Sequence, residues 1–313
     1  MAPAEPSSRD LVIGAVRGYS FEQLRPFVVS LKRTSFQGDL VLLWNSLDAA
    51  TRSELERHGV KLVHFDYRGS GALNSWSRFW PQLRPILRLP MGITVRVSIY
   101  KKILNLAFVR YLHMLDFIEA KLGRYRNMLL TDVRDVIFQD DPFRDHLPGT
   151  ISAFLESPHM CYGSEPMNTG WLLENYGPET SAALRGQRIS CCGTIMGTEA
   201  GIVRYLHAFT AEILRLRSVA HGADTSIHNV LVRQTLAAKI AVVENFQGAV
   251  GTINPKAIEY NNDKIVLNAQ QKPVPVLHQY DRLPQLADTL LAKLPPDLDS
   301  ILLRSSRSFP FHP

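Results

Sequence analysis

The chain has 313 residues, 45% of them hydrophobic and 20% charged, which is ordinary globular composition with enough apolar material for a sizeable core. Its formal net charge of +6 is spread along the chain and no aromatic-plus-basic nucleic-acid motif stands out. Nucleic acid is therefore not expected as a partner, and an anionic substrate or peripheral contact with a membrane surface accounts for the charge equally well. Three cysteines, two of them adjacent at Cys191 and Cys192, match neither a disulfide framework nor a C-x-x-C zinc pattern and read as reduced thiols.

The opening MAPAEPSSRD has no apolar stretch, so residues 1–10 are expected to be a disordered leader and the chain to stay in the cytoplasm. Leu11 to Val16 is a short apolar run, as in a buried parallel strand. Ser20 and Gln23 then have the form of a capping box, and Leu24, Phe27, Val28 and Leu31 recur at helical spacing. Asp39 to Trp44 is a second strand, the polar segment from Asp48 to His58 closed by Gly59 a second helix, and Val60 to Phe65 a third strand. Such alternation predicts a doubly wound, mostly parallel sheet with helices on both faces, in a single domain.

Gly69 to Pro90 reads as a long loop, and Val97 to Ala120 as one helix. Within it, Ile99 to Leu115 is interrupted by Lys101, Lys102, Arg110 and His113, so it is not expected to span a membrane. Met128 to Thr131 is a strand ending in Asp132-Val-Arg-Asp135, followed by the apolar Val136 to Phe138 and a turn at Asp140 to Phe143. Later strands are expected at Ile151 to Leu155, Ser190 to Met196, Ile240 to Val243 and Val274 to Leu277. Helices are expected at Ala200 to Leu216 and Thr225 to Leu236. The organisation read from this order is a nucleotide half (11–145), an acceptor half (146–300) and a C-terminal tail (301–313).

Ligands of such sheets bind beyond the carboxyl ends of the strands. Arg17, Gly18 and Tyr19, Asn45, Asp66 and Tyr67 stand there, and so do Asp132 and Asp135. Carboxylates at a strand end offer hard oxygen ligands to a divalent cation carrying a diphosphate, although acidic residues also simply finish strands and form turns.

The segment Leu129-Leu-Thr-Asp-Val-Arg-Asp-Val-Ile-Phe-Gln-Asp-Asp-Pro-Phe143 resembles the metal-binding strand of GT-A glycosyltransferases, in which an apolar strand meets a D-x-D motif. Cys192-Gly-Thr-Ile-Met-Gly197 is similar to the sugar-facing segment of that superfamily, Gly222-Ala-Asp224 to its G-x-D-Q element, and Val276-Leu-His-Gln-Tyr280 to its late V-H segment. Two residues, Val133 and Arg134, separate the carboxylates where the motif has one, and a bulge is one way to restore the geometry. Cys192 stands where Asn is common, and Thr225 where Gln often follows the aspartate.

The resemblance implies a metal-dependent glycosyltransferase moving a sugar from a nucleoside diphosphate sugar, uridine above all, to a hydroxyl acceptor on a glycan, a lipid-linked sugar or a small molecule. Asp132, Asp135 and His278 would hold Mn²⁺ or Mg²⁺. Ala15, Arg17, Tyr19 and Asp66 would line the nucleotide, with Asp132, Arg134 and Gly193 about the diphosphate and sugar. Asp224 and Glu156 are the candidate catalytic carboxylates, with Asp224 also a natural helix N-cap and Glu156 equally a loop residue. A nucleotidyltransferase is the competing enzyme reading, but Ala15-Val-Arg-Gly-Tyr19 is too short and poor in Gly for its phosphate loop. The non-enzymatic alternative is a nucleotide-sugar or glycan-binding module.

Overall fold

The computed structural model describes residues 9–67, 80, 82–85, 92–146, 149, 151–219, 222–253 and 265–295. Three strand and helix units open the chain. Strand β1 (Arg9–Arg17) begins two residues inside the segment expected to be a leader, of which residues 1–8 lie outside the described residues. Arg9 pairs with the buried Asp39, and Asp10 accepts from Arg126 and Asn127, which ties this end of the strand to its neighbours.

Helix α1 (Phe21–Lys32) starts at the capping box, where the Ser20 backbone N–H donates to Gln23 Oε1 at 3.0 Å, and it buries the expected Leu24, Phe27, Val28 and Leu31. After β2 (Asp39–Asn45), α2 (Ala49–Arg57) is capped by Asp48, which accepts from the Thr51 amide. Gly59 then supplies the left-handed turn into β3 (Lys61–His64).

The expected helix over Val97 to Ala120 is two helices, α3 (Ile93–Ile103) and α4 (Leu106–Glu119). Leu104 is extended and Asn105 caps the second helix through the Ala107 amide, while its Nδ2 donates to the Val219 carbonyl at 3.1 Å. Most of the loop expected over Gly69 to Pro90 lies outside the described residues, but 82–85 are helical and Trp80 is buried against Tyr100.

The rest of the chain supplies β4 (Tyr125–Thr131), β5 (Val136–Phe138), β6 (Ile151–Leu155), α5 (Pro166–Ala183), β7 (Ser190–Thr198) and α6 (Glu199–Ile213). Helix α7 (Ala223–Val230) runs on into a π turn at Leu231–Thr235, followed by β8 (Ile240–Val243), β9 (Val250–Thr252), β10 (Val276–His278) and α8 (Pro284–Ala292). Helices α5 and α8 and strand β9 have no counterpart among the expected elements. The expected tail, residues 301–313, lies outside the described residues.

Seven strands form the main sheet in the order β3-β2-β1-β4-β7-β6-β8, parallel except for β7, which runs against both its neighbours. Because successive side chains of β1 point to opposite faces, Leu11 and Ile13 join one core with α4, α6 and α7, and Val12 and Val16 join another with α1. Both faces are thus covered by helices, as the sequence predicts. A second sheet, β5-β10-β9, packs its outer face on α8 through Ile137, Leu277, Leu286 and Leu290. Among the described residues no helix is long and apolar enough to cross a membrane.

Candidate metal and nucleotide-sugar site

The site lies where the two sheets meet. At the end of β4, Thr131 pairs with Thr194 of β7, and the next amide, that of Asp132, donates to the Gly193 carbonyl at 2.7 Å. The chain then turns over Val133 to Asp135 and enters the second sheet. Val133 is buried above Gly14, where a Cβ would lie 2.3 Å from Val133 Cγ2, and Arg134 points outward to Asp281 at 2.8 Å. The extra residue between the carboxylates is therefore absorbed by a turn with one inward and one outward side chain, not by a bulge. Immediately after Asp135, Val136 pairs with His278 of β10, and this register brings the imidazole to the carboxylates.

Asp132, Asp135 and His278 offer ligand atoms that all lie within 4.8 Å of one another. His278 is buried, and its Nε2 stands 3.4 Å from Asp132 Oδ2 and 3.8 Å from Asp135 Oδ2 with no hydrogen-bond partner. Behind them is Gly193, where a Cβ would come within 2.5 Å of Asp132 Oδ2 and 2.8 Å of His278 Nε2. A ring nitrogen without a hydrogen-bond partner, facing two carboxylate oxygens in a space kept open by a glycine, fits a divalent cation. Imidazole with two carboxylates suits Mn²⁺ somewhat better than Mg²⁺.

Burial opposes the charge on Asp132, yet Arg110 and His278 outweigh it and hold the carboxyl well below the ordinary range. Asp135 is pushed up, first by burial and then by Asp132 beside it, against the opposing pull of His278. Arg110 on α4 is a site residue the sequence reading passed over as a mere interruption of an apolar helix. Its guanidinium bonds Asp132 Oδ1 through one nitrogen and Asp224 Oδ2 through the other, the latter at 3.3 Å. Two carboxylates outweigh the cost of burying it.

Asp224 does not cap its helix, because the N-cap of α7 is Gly222 in a left-handed conformation, and a side chain there would run into Trp171. Asp224 sits instead in the first turn, buried, with the Cys192 thiol 3.6 Å away. Cys192 also contacts Thr225, and its carbonyl accepts from the Tyr111 hydroxyl at 2.8 Å.

Glu156 follows β6, its amide held by the Ile189 carbonyl. Burial raises its pKa, while His278 and Arg282 pull the other way. Arg17, opposite Asn45 at the strand ends, places its guanidinium 5.2 Å over the Tyr67 ring. Tyr19 is half-buried on the α1 side and close enough to act on the charge of Arg134. Ala15 packs into the core, and Asp66 is exposed at the end of β3.

The galactosyltransferase LgtC, solved in complex with donor and acceptor sugar analogs, is similar to this chain at a TM-score of 0.51 and 10% identity, covering 94% of this chain and 99% of its own. An active-site mutant of LgtC is similar at a TM-score of 0.51 and 11% identity, covering 93% and 98%. Core-mannan synthase A from Aspergillus fumigatus, in its Mn/GDP form, reaches a TM-score of 0.40 at 12% identity, covering 77% and 74%. No protein-family model and no curated protein sequence matches the chain. At these identities the likeness is one of fold, and the fold is that of the GT-A glycosyltransferases.

Proposed function

We propose that the protein is a metal-dependent glycosyltransferase that takes a nucleoside diphosphate sugar, with uridine the first base to test, and transfers the sugar to a hydroxyl acceptor. The observation that carries this reading is the convergence of Asp132, Asp135 and His278 where the two sheets meet, in a GT-A fold. Bound there, Mn²⁺ or Mg²⁺ would neutralise the diphosphate as it departs. Arg110 holds Asp132 and Asp224 in place, and Arg134 adds positive charge at the rim. In this reading Arg17 and Tyr19, at and just after the end of β1, would meet the nucleotide.

For transfer with inversion, Glu156 would take the proton from the acceptor hydroxyl, since Asp224 is already committed to Arg110, and transfer with retention would need no such base. The test is a thermal-shift screen of nucleoside diphosphates and their sugars, each with Mn²⁺ and with a chelator. A nucleotide that raises the melting temperature only with the cation supports the reading, and the absence of any such shift removes it. Pyrophosphate release from a nucleoside triphosphate plus a sugar phosphate would instead favour a nucleotidyltransferase.

A further inference from the structure

On the side of the His278 ring away from the carboxylates, Nδ1 lies 3.2 Å from Sγ of Cys191, and both groups are buried. Cys191 belongs to β7 and His278 to β10, so the two sheets meet through this contact. A cysteine sulfur accepts a hydrogen bond, and an imidazole that serves as a metal ligand is neutral and carries one N–H. If Nδ1–H donates to the sulfur, Nε2 is left bare on the side of Asp132 and Asp135, where it has no partner. This contact has the form in which metal-bound histidines donate their second N–H to a fixed acceptor.

We infer that Cys191 is a positioning residue for His278, its sulfur accepting the Nδ1 proton and so fixing the ring orientation and tautomer in which Nε2 is a ligand. The inference rests on the proposed metal-binding function. It gives the buried cysteine a role in cation affinity, and the adjacent Cys192, which faces Asp224 and Thr225, has none of this kind.

The experiment is direct titration of the full chain with Mn²⁺, read by the loss of the free-ion paramagnetic resonance signal, for the wild type, Cys191→Ala, Cys191→Ser and Cys192→Ala, with melting temperatures taken alongside. Cys191→Ala is expected to weaken Mn²⁺ about 10–100-fold, the range found when outer partners of metal ligands are removed. Serine keeps an acceptor at the same place and is expected to recover most of that loss, while Cys192→Ala stays near wild type. Wild-type affinity in folded Cys191→Ala, or equal losses in the alanine and serine variants, would overturn the inference while leaving the metal site standing. A wild-type chain that binds no Mn²⁺ would overturn both. Should Cys191→Ala fail to fold, Cys191→Val fills the space without an acceptor and is read in the same way.

Discussion

Arg110 and Asp132 come from a helix and a strand end and meet through one oxygen of the carboxylate, Oδ1, so that Oδ2 is the oxygen turned toward His278. The arginine thus selects which oxygen is offered to a cation, and its second nitrogen fastens Asp224 to the same point.

Arg110→Ala leaves two carboxylates without their shared counter-charge. Removing one partner of a fully buried pair costs ~3–5 kcal/mol, and the 28% exposure of the Asp132 side chain brings the expected loss down to about 2–3 kcal/mol. Urea unfolding of Arg110→Ala and Arg110→Lys checks this. The lysine variant keeps a charge but lacks the two-armed geometry, and it should fall between alanine and wild type.

At Gly193 the prediction separates stability from chemistry. A methyl group there meets Asp132 and His278, so Gly193→Ala is expected to cost about 1–3 kcal/mol as an overpacked site. Mn²⁺-dependent donor binding should be lost in the same protein while it remains folded, as calorimetry with Mn²⁺ and circular dichroism would establish. Undiminished donor affinity would mean that the cation does not sit against this strand.

In the proposed site Asp135→Ala would remove a ligand and a charge that offsets the cation, from a turn at a strand end. Turnover should fall on the order of a hundredfold or more, as for other groups that stabilise developing charge. The melting temperature of the metal-free protein should hardly move. Donor affinity measured with Mn²⁺ and then with a chelator should differ in the wild type and coincide in the variant.

A pH effect is expected from His228, which lies outside the metal cluster. It is buried between the Tyr205 hydroxyl, 2.8 Å from Nδ1, and Ser190 Oγ, 2.9 Å from Nε2. Since Ser190 donates to the Phe154 carbonyl, its oxygen accepts from Nε2–H, and Nδ1 accepts from Tyr205. The neutral ring is fully satisfied, and burial, with Arg233 adding, lowers its pKa to about 3 from an ordinary 6.5. Below pH 6.5 the unfolded chain takes up the proton and the folded one does not, so this stabilisation is complete above 6.5 and drains away toward pH 3. Between pH 7 and 4.5 the loss from this group is roughly 2–3 kcal/mol. Denaturation curves of wild type and His228→Gln across that interval should converge as the pH falls. Parallel curves would show that the histidine titrates normally.

Much of the fold is legible in the sequence because its signals are local. The apolar run at Leu11, the Ser20 and Gln23 capping pair and the polar segment closed by Gly59 each specify structure within a few residues. Helix α5 escaped because Gly170, Gly177 and Pro178 interrupt its periodicity, and Gly177 does adopt a non-helical conformation within it. Asp132, Asp135 and His278 could be named through a family likeness, but their juxtaposition depends on the pairing of β5 with β10, which no local pattern encodes. The roles of Arg110 and Cys191 are likewise non-local, since each is defined by a partner on a distant segment.

The division of the ligand atoms between two sheets makes the cluster a seam. Asp132 hangs from the main sheet, whereas Asp135 and His278 flank paired strands of the small one, so a cation held by all three would clasp one to the other. Such a clasp closes a long loop of chain and contributes most to keeping the late strands seated. Backbone amides of β5, β9 and β10 are then expected to exchange with solvent more slowly when Mn²⁺ is added, while those of β2 and β3 stay unchanged. Among the described residues β10 is the last strand in the chain, so a cation held by all three side chains could be gathered only once that strand has docked.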